Sequence, residues 1–219
     1  MAEFTATAGS SSTIGYAQYG STSWSTGTTN GACQGAYQGT SSSNSRVGVM
    51  VFSGAGAALK GKVIQGIKLK ITCSGAGSSS SSKVLSFRKA NYQSLNKTVK
   101  GSAQVGAALG TLTGKFYDNT VTHTLTASSN TALFNAMKAY FAAGNSVLVI
   151  YNGETSSSSG YSSNYARVTT CVLTVSYIDA AVWYCNAGTW QLCTVWYCNA
   201  GTWVQCVPYY NSGGSWIQV

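Results

Sequence analysis

Carboxylates are almost missing from this chain. Glu3, Asp118, Glu154 and Asp179 are the only four in 219 residues, and His123 is the only histidine. Hydrolytic, phosphoryl-transfer and metal-assisted chemistry draws on these side chains as acids, bases and ligands. A Ser-His-Asp arrangement would have to combine His123 with Asp118 or Asp179, and no nucleophile motif accompanies them. The chain is therefore expected not to be an enzyme and to need neither metal nor cofactor. Charge of either sign is scarce, at 8% of residues against about 25% in an ordinary soluble domain. Proline occurs once. No apolar run approaches the roughly 18 residues of a membrane span, so no membrane insertion is expected. The opening MAEFTATAGSSSTIGYAQYG has neither the basic nor the apolar region of a signal peptide. Synthesis in the cytoplasm is the expectation, and it makes a disulfide framework from the seven cysteines the weaker assumption.

What is present suits strands. Apolar residues reach 44%, with 25 Gly and 14 Tyr among many Ser and Thr. Hydroxyls replace charges on the wet faces of such a β-rich protein. The N-terminal 45 residues carry spaced aromatics, Tyr16, Tyr19, Trp24 and Tyr37, and are expected to lie on the body as short strands that bury them. In SRVGVMVFS, Ser45–Ser53, both alternating sets are largely apolar, which predicts a central strand. In GKVIQGIKLKITCS, Ile67, Leu69, Ile71 and Cys73 point one way and Lys68, Lys70 and Thr72 the other, which predicts one buried and one wet face. One helix is expected from SSNTALFNAMKAYFAAGN. Its cap is Ser129 or Asn130, its apolar positions are Leu133, Phe134, Met137, Tyr140 and Phe141, and Gly144 stops it. A buried strand, SVLVIYNGE, a Ser-rich loop, TSSSSGYSSNY, and a last strand, Ala166–Tyr177, follow. The pattern predicts an all-β antiparallel sandwich with one short helix.

The order of these segments resembles the jelly-roll modules of tailed-phage structural proteins and of carbohydrate-binding-module-type bacterial surface proteins. The resemblance covers residues 1–178 and implies a jelly-roll sandwich without catalysis. The acid clusters that hold calcium in such modules are missing here, so calcium is not carried over.

Residues 182–219 differ in composition. They hold five of the six Trp and no Lys or Arg. Three units align without gaps: VWYCNAGTWQLCT, VWYCNAGTWVQCV and PYYNSGGSWIQV. Each reads as strand–turn–strand, with Asn and Gly where a tight hairpin needs positive φ. A lone hairpin of this length cannot bury its aromatics, and an exposed apolar patch marks an interface. Trp183, Tyr184, Trp190, Trp196, Tyr197, Trp203, Tyr209, Tyr210 and Trp216 are the candidate contacts, to other copies in a homotrimer or to stacked sugar rings. Cys185, Cys193, Cys198 and Cys206 lack the paired spacing of zinc ribbons. Similar W-N-G-x-W repeats end phage virion proteins, which adds to the resemblance.

All 13 Lys and Arg fall between Arg46 and Arg167. Lys60, Lys62, Lys68 and Lys70 are candidates for docking on an acidic partner such as a capsid or tail lattice. Their scatter, with no aromatic-basic motif, argues against nucleic acid. The sequence thus predicts a β-sandwich over 1–178 and a hairpin-repeat tail over 182–219. The expected role is a non-enzymatic protein of a phage surface, a capsid decoration or head fibre. The alternatives are a tail-fibre adhesin and a glycan-binding module of a bacterial surface protein.

Overall fold

The computed structural model describes residues 2–75, 82–157 and 159–178. Beyond these it describes Gly201 and the strands of the C-terminal segment. Two antiparallel sheets pack face to face. The first holds β1 (Ala2–Ala8), β11 (Ala166–Ile178), β6 (Val63–Cys73) and β9 (Thr120–Leu125) in that order, with β4 (Ala32–Gln34) also on β11. The second runs β3 (Trp24–Thr26), β2 (Ile14–Gln18), β5 (Arg46–Val51), β10 (Val147–Ile150), β7 (Lys83–Ala90) and β8 (Val105–Gly114). The pairs β5–β10, β6–β9 and β7–β8 nest one inside the next and alternate between the sheets. The protein is an antiparallel β-sandwich.

The alternation in β6 sorts as the sequence requires. Ile67, Leu69, Ile71 and Cys73 are buried in the inter-sheet core with Leu173 and Val175 of β11 and Leu85 and Phe87 of β7, while Lys68 and Lys70 are exposed. Strand β5 is apolar on both faces because both are covered. Met50 faces the core, and Val47 and Val49 join a second cluster with Val147, Val149 and Leu95 on the far side of the sheet. That cluster is closed by Tyr19, Trp24 and Tyr151, and the Trp24 indole N–H donates to the Val99 carbonyl at 2.9 Å.

The expected helix is α3 (Thr131–Ala142), and its buried residues are the five apolar positions read from the sequence. Asn130 takes the N-cap position with φ 54°, and Gly144 takes φ 91° after the last turn. Two shorter helices accompany it, α1 (Ala55–Leu59) and α2 (Gly101–Gln104). Neither has a side-chain cap or the length that makes a helical period readable.

In the C-terminal segment, β12 (Val182–Asn186) pairs with β13 (Thr189–Cys193), β14 (Trp196–Asn199) with β15 (Thr202–Gln205), and β16 (Tyr209–Ser212) with β17 (Ser215–Gln218). The register repeats. Tyr184 faces Gln191, Tyr197 faces Val204 and Tyr210 faces Ile217. Gly201, between β14 and β15, has φ 87°, the positive angle that a tight connection requires.

Cys33, Cys73 and Cys171 are free and buried. Burial pushes all three thiols up from their ordinary value of 9.0, Cys73 to about 12. Thiols held protonated only in the fold stabilise it fully below that ordinary value. Their contribution is lost as pH rises from there through the folded values. Between pH 9 and 11 the unfolding free energy, read from denaturant titrations, is expected to fall by up to about 1.4 kcal/mol per pH unit for each thiol. A Cys73→Val, Cys171→Val double variant should show a visibly shallower fall in the same titration.

Candidate functional site

The tail candidates occupy matching strands. Trp183 and Tyr184 are in β12, Trp190 in β13, Trp196 and Tyr197 in β14, Trp203 in β15, Tyr209 and Tyr210 in β16, and Trp216 in β17. Trp190 pairs with Cys185, Trp203 with Cys198 and Trp216 with Asn211, so each unit sets its third aromatic at the same register position. Their side chains lie outside the described residues.

The four lysines divide. Lys68 and Lys70 stand exposed on the outer face of the first sheet, in the middle of a hydroxyl lattice. Lys68 is flanked by Thr174 and Thr124, and Lys70 by Val172 and Thr122. Glu3, at the corner of this face, lines a recess of about 180 Å³ over Gly66 together with Lys68. Lys60 instead packs its stem toward Gly144, and the Lys62 ammonium lies 5.8 Å from the Tyr177 ring, which is packed against the core. So the structure joins the second pair on one face and sets the first pair beside the α1–α3 end.

His123 is half-buried against Phe116, with ring centroids 5.3 Å apart. Its buried Nε2 has no hydrogen-bond partner, and burial pushes its pKa down. Among the described residues, no three His, Cys, Asp or Glu side chains come close enough to hold a metal. No helix among them is long and apolar enough to cross a membrane.

The cluster that sequence reasoning missed lies at one end of the sandwich, where the segment after β4 meets the Ser-rich loop before β11. Two main-chain bonds lace the segments together: Gln38 N–H to Gly160 O at 2.9 Å and Ser156 N–H to Gly39 O at 2.7 Å. Ser162 adds a reciprocal pair, its N–H donating to Ala36 O and its Oγ accepting from the Ala36 N–H. Tyr37 was expected to be buried. It is 39% exposed, because its bridge to Tyr161 sets it in the loops outside the two sheets, where its ring lies 4.3 Å from that of Tyr161, itself 38% exposed. Tyr161 in turn rests on buried Tyr165 at 4.5 Å. The Arg46 guanidinium is held between the Tyr165 and Tyr16 rings, 5.2 and 4.7 Å from their centroids, and donates to the Tyr165 hydroxyl. That hydroxyl donates to Cys33 Sγ, and burial pushes its pKa up. The result is a column of rings running from the surface to the core, with the Arg46 guanidinium inside it and Arg167 beside Tyr165 and Cys33.

A polar hub anchors this end. Gln34, fully buried, donates to the Val84 and Asn164 carbonyls and accepts from the Ser86 N–H at 2.9 Å. Asn164 accepts from the Val84 N–H and donates both its backbone and its side-chain N–H to the Glu154 carboxylate. The buried Lys83 ammonium donates to Tyr165 O at 2.9 Å. The only sequence signal for any of this is the pair of tyrosines, Tyr161 and Tyr165, in an otherwise Ser-rich stretch.

No family model matches the chain, and no curated protein matches it.

Proposed function

We propose that this chain is a non-enzymatic structural protein on the surface of a tailed-phage particle, a capsid decoration or head-fibre subunit that assembles as a homotrimer through its C-terminal repeat. The observation that carries the reading is the repeated register of the three C-terminal strand pairs. Three units of one geometry, rich in Trp and Tyr and without Lys or Arg, supply a surface whose aromatics a two-stranded unit cannot bury alone. The nested pairs β5–β10, β6–β9 and β7–β8 support a jelly-roll body, a rigid platform for such a tail. The exposed Lys68 and Lys70 dock the body on an acidic lattice.

A host-adhesion role, in a tail fibre or as a glycan-binding module, is the second reading. The exposed Tyr37–Tyr161 pair favours it. Gradient-purified particles from the source culture, digested and analysed by mass spectrometry, separate these readings. Peptides of this chain should appear in the particle band at many copies per particle. Their confinement to the cell-wall or soluble fraction would remove the virion reading.

A further inference from the structure

We propose that the chain cross-links itself: the side chains of Lys83 and Asn164 join in an amide bond, with Glu154 carrying the proton and ammonia released. The site lies in the sandwich body, so it stands or fails independently of the tail and of trimer formation.

Three observations converge on it. First, Lys83 occupies a core position. It continues the inward row of Leu85 and Phe87 in β7, is 1% exposed and has no ion-pair partner among the described residues. A charged amine is costly in such a place, and a neutral one is a nucleophile. Burial pushes the Lys83 pKa down, and the charge of Glu154 offsets this only in part. Second, the amine and the amide belong to two consecutive residue pairs laid side by side. Lys83 Nζ donates to Tyr165 O at 2.9 Å, and the next residue, Val84, donates its N–H to Asn164 Oδ1 at 2.8 Å. The Gln34 amide fixes the same two stretches through the Val84 and Asn164 carbonyls. Reactants held in this way need no encounter step. Third, the Asn164 amide is gripped as acyl transfer requires. The Val84 N–H sits on Oδ1, where negative charge develops. Nδ2, the leaving nitrogen, donates to Glu154 Oε1 at 2.5 Å, and the other carboxylate oxygen accepts from the Asn164 main-chain N–H at 2.9 Å. A carboxylate on the leaving nitrogen is placed to deliver a proton to it. Asn164 and Glu154 are half-buried, which leaves ammonia a way out.

In the reaction, the lone pair of neutral Lys83 Nζ attacks Asn164 Cγ, and the carbonyl pair moves onto Oδ1. Glu154 takes one proton from Nζ and passes it to Nδ2. The pair on Oδ1 returns, the Cγ–Nδ2 bond breaks, and ammonia leaves. An amine and a primary amide become a secondary amide and ammonia, with no co-reactant, and Glu154 ends unchanged. The product ties β7 to the approach to β11 and closes the chain between them into a loop, which restricts the unfolded state.

The test is the intact mass of the purified full-length chain together with its tryptic map. The parent should be lighter than its sequence mass by one ammonia, and the map should contain a branched peptide joining Lys83 to Asn164. Lys83→Met and Asn164→Ala should each restore the sequence mass and lose the branched peptide. Glu154→Gln keeps the shape of the side chain without its carboxylate, so it should keep the circular dichroism of the parent and lack the bond. All three variants should unfold at a lower urea midpoint than the parent. Cyclisation at Asn152–Gly153 expels the same ammonia, but it yields no branched peptide and persists in Lys83→Met. The map of the parent decides the bond even where a variant fails to fold. Full sequence mass in the folded parent overturns the proposal. So does an ammonia loss that Lys83→Met retains, or a branched peptide formed at full yield in Glu154→Gln.

Discussion

Deleting residues 182–219 is expected to turn a homotrimer into a monomer while leaving the far-UV circular dichroism of a folded sandwich. The physical reason is the mismatch between what each repeat carries and what two strands can cover. A two-stranded pair is marginal in water, and each unit brings several large aromatics and no lysine or arginine to keep it soluble. On the proposed reading, stacking of units within one chain covers part of that surface and neighbouring copies cover the rest. The sandwich should survive, because its hydrophobic clusters are built from residues between Phe4 and Tyr177. Loss of the dichroism signal together with assembly would instead mean that the repeats help to fold the body. A deletion variant that stays trimeric would place the assembly surface on the sandwich.

Gln34→Leu is expected to destabilise the body by about 3–5 kcal/mol, read as a shift in the urea midpoint. The side chain is fully buried and makes three hydrogen bonds, at 2.6, 2.8 and 2.9 Å, to main-chain groups of β7 and of the loop before β11. Leucine has a similar volume and supplies none of them. It strands the Val84 and Asn164 carbonyls and the Ser86 N–H, at about 1–3 kcal/mol for each group that water does not reach. The damage should spread to the surface, because Asn164 and Tyr165 are placed by this hub and Tyr161 rests on Tyr165. Limited proteolysis should therefore cut the variant first within 155–163. A variant as stable as the parent would mean that solvent replaces the lost bonds.

Local patterns were legible because local physics produces them. The period-2 alternation of β6 fixed which side chains are buried, and α3 buries its five apolar positions because a 3.6-residue period puts them on one face. The register of the tail pairs follows from a repeat visible by eye. The loop end was not legible, because its members come from far apart. Cys33, Tyr37, Arg46, Tyr161 and Tyr165 meet only once β4 and the approach to β11 lie side by side. Nothing in a stretch such as QGAYQG marks its tyrosine as exposed, and the usual expectation that aromatics seek burial gave the opposite answer for Tyr37. Lys83 misleads in the same way. A lysine carries no local sign of burial, yet this one is buried with its ammonium on a carbonyl. Strand order also rests on pairings across more than 90 residues, as between β5 and β10, and no local signal encodes them.

The most direct test of the account is the mass of the full-length protein in solution by multi-angle light scattering, at a concentration low enough to exclude weak association. The account predicts a single species at three times the chain mass of 22.8 kDa. A clean monomer would contradict it, since the Trp-bearing strands would then have to face water or a different partner.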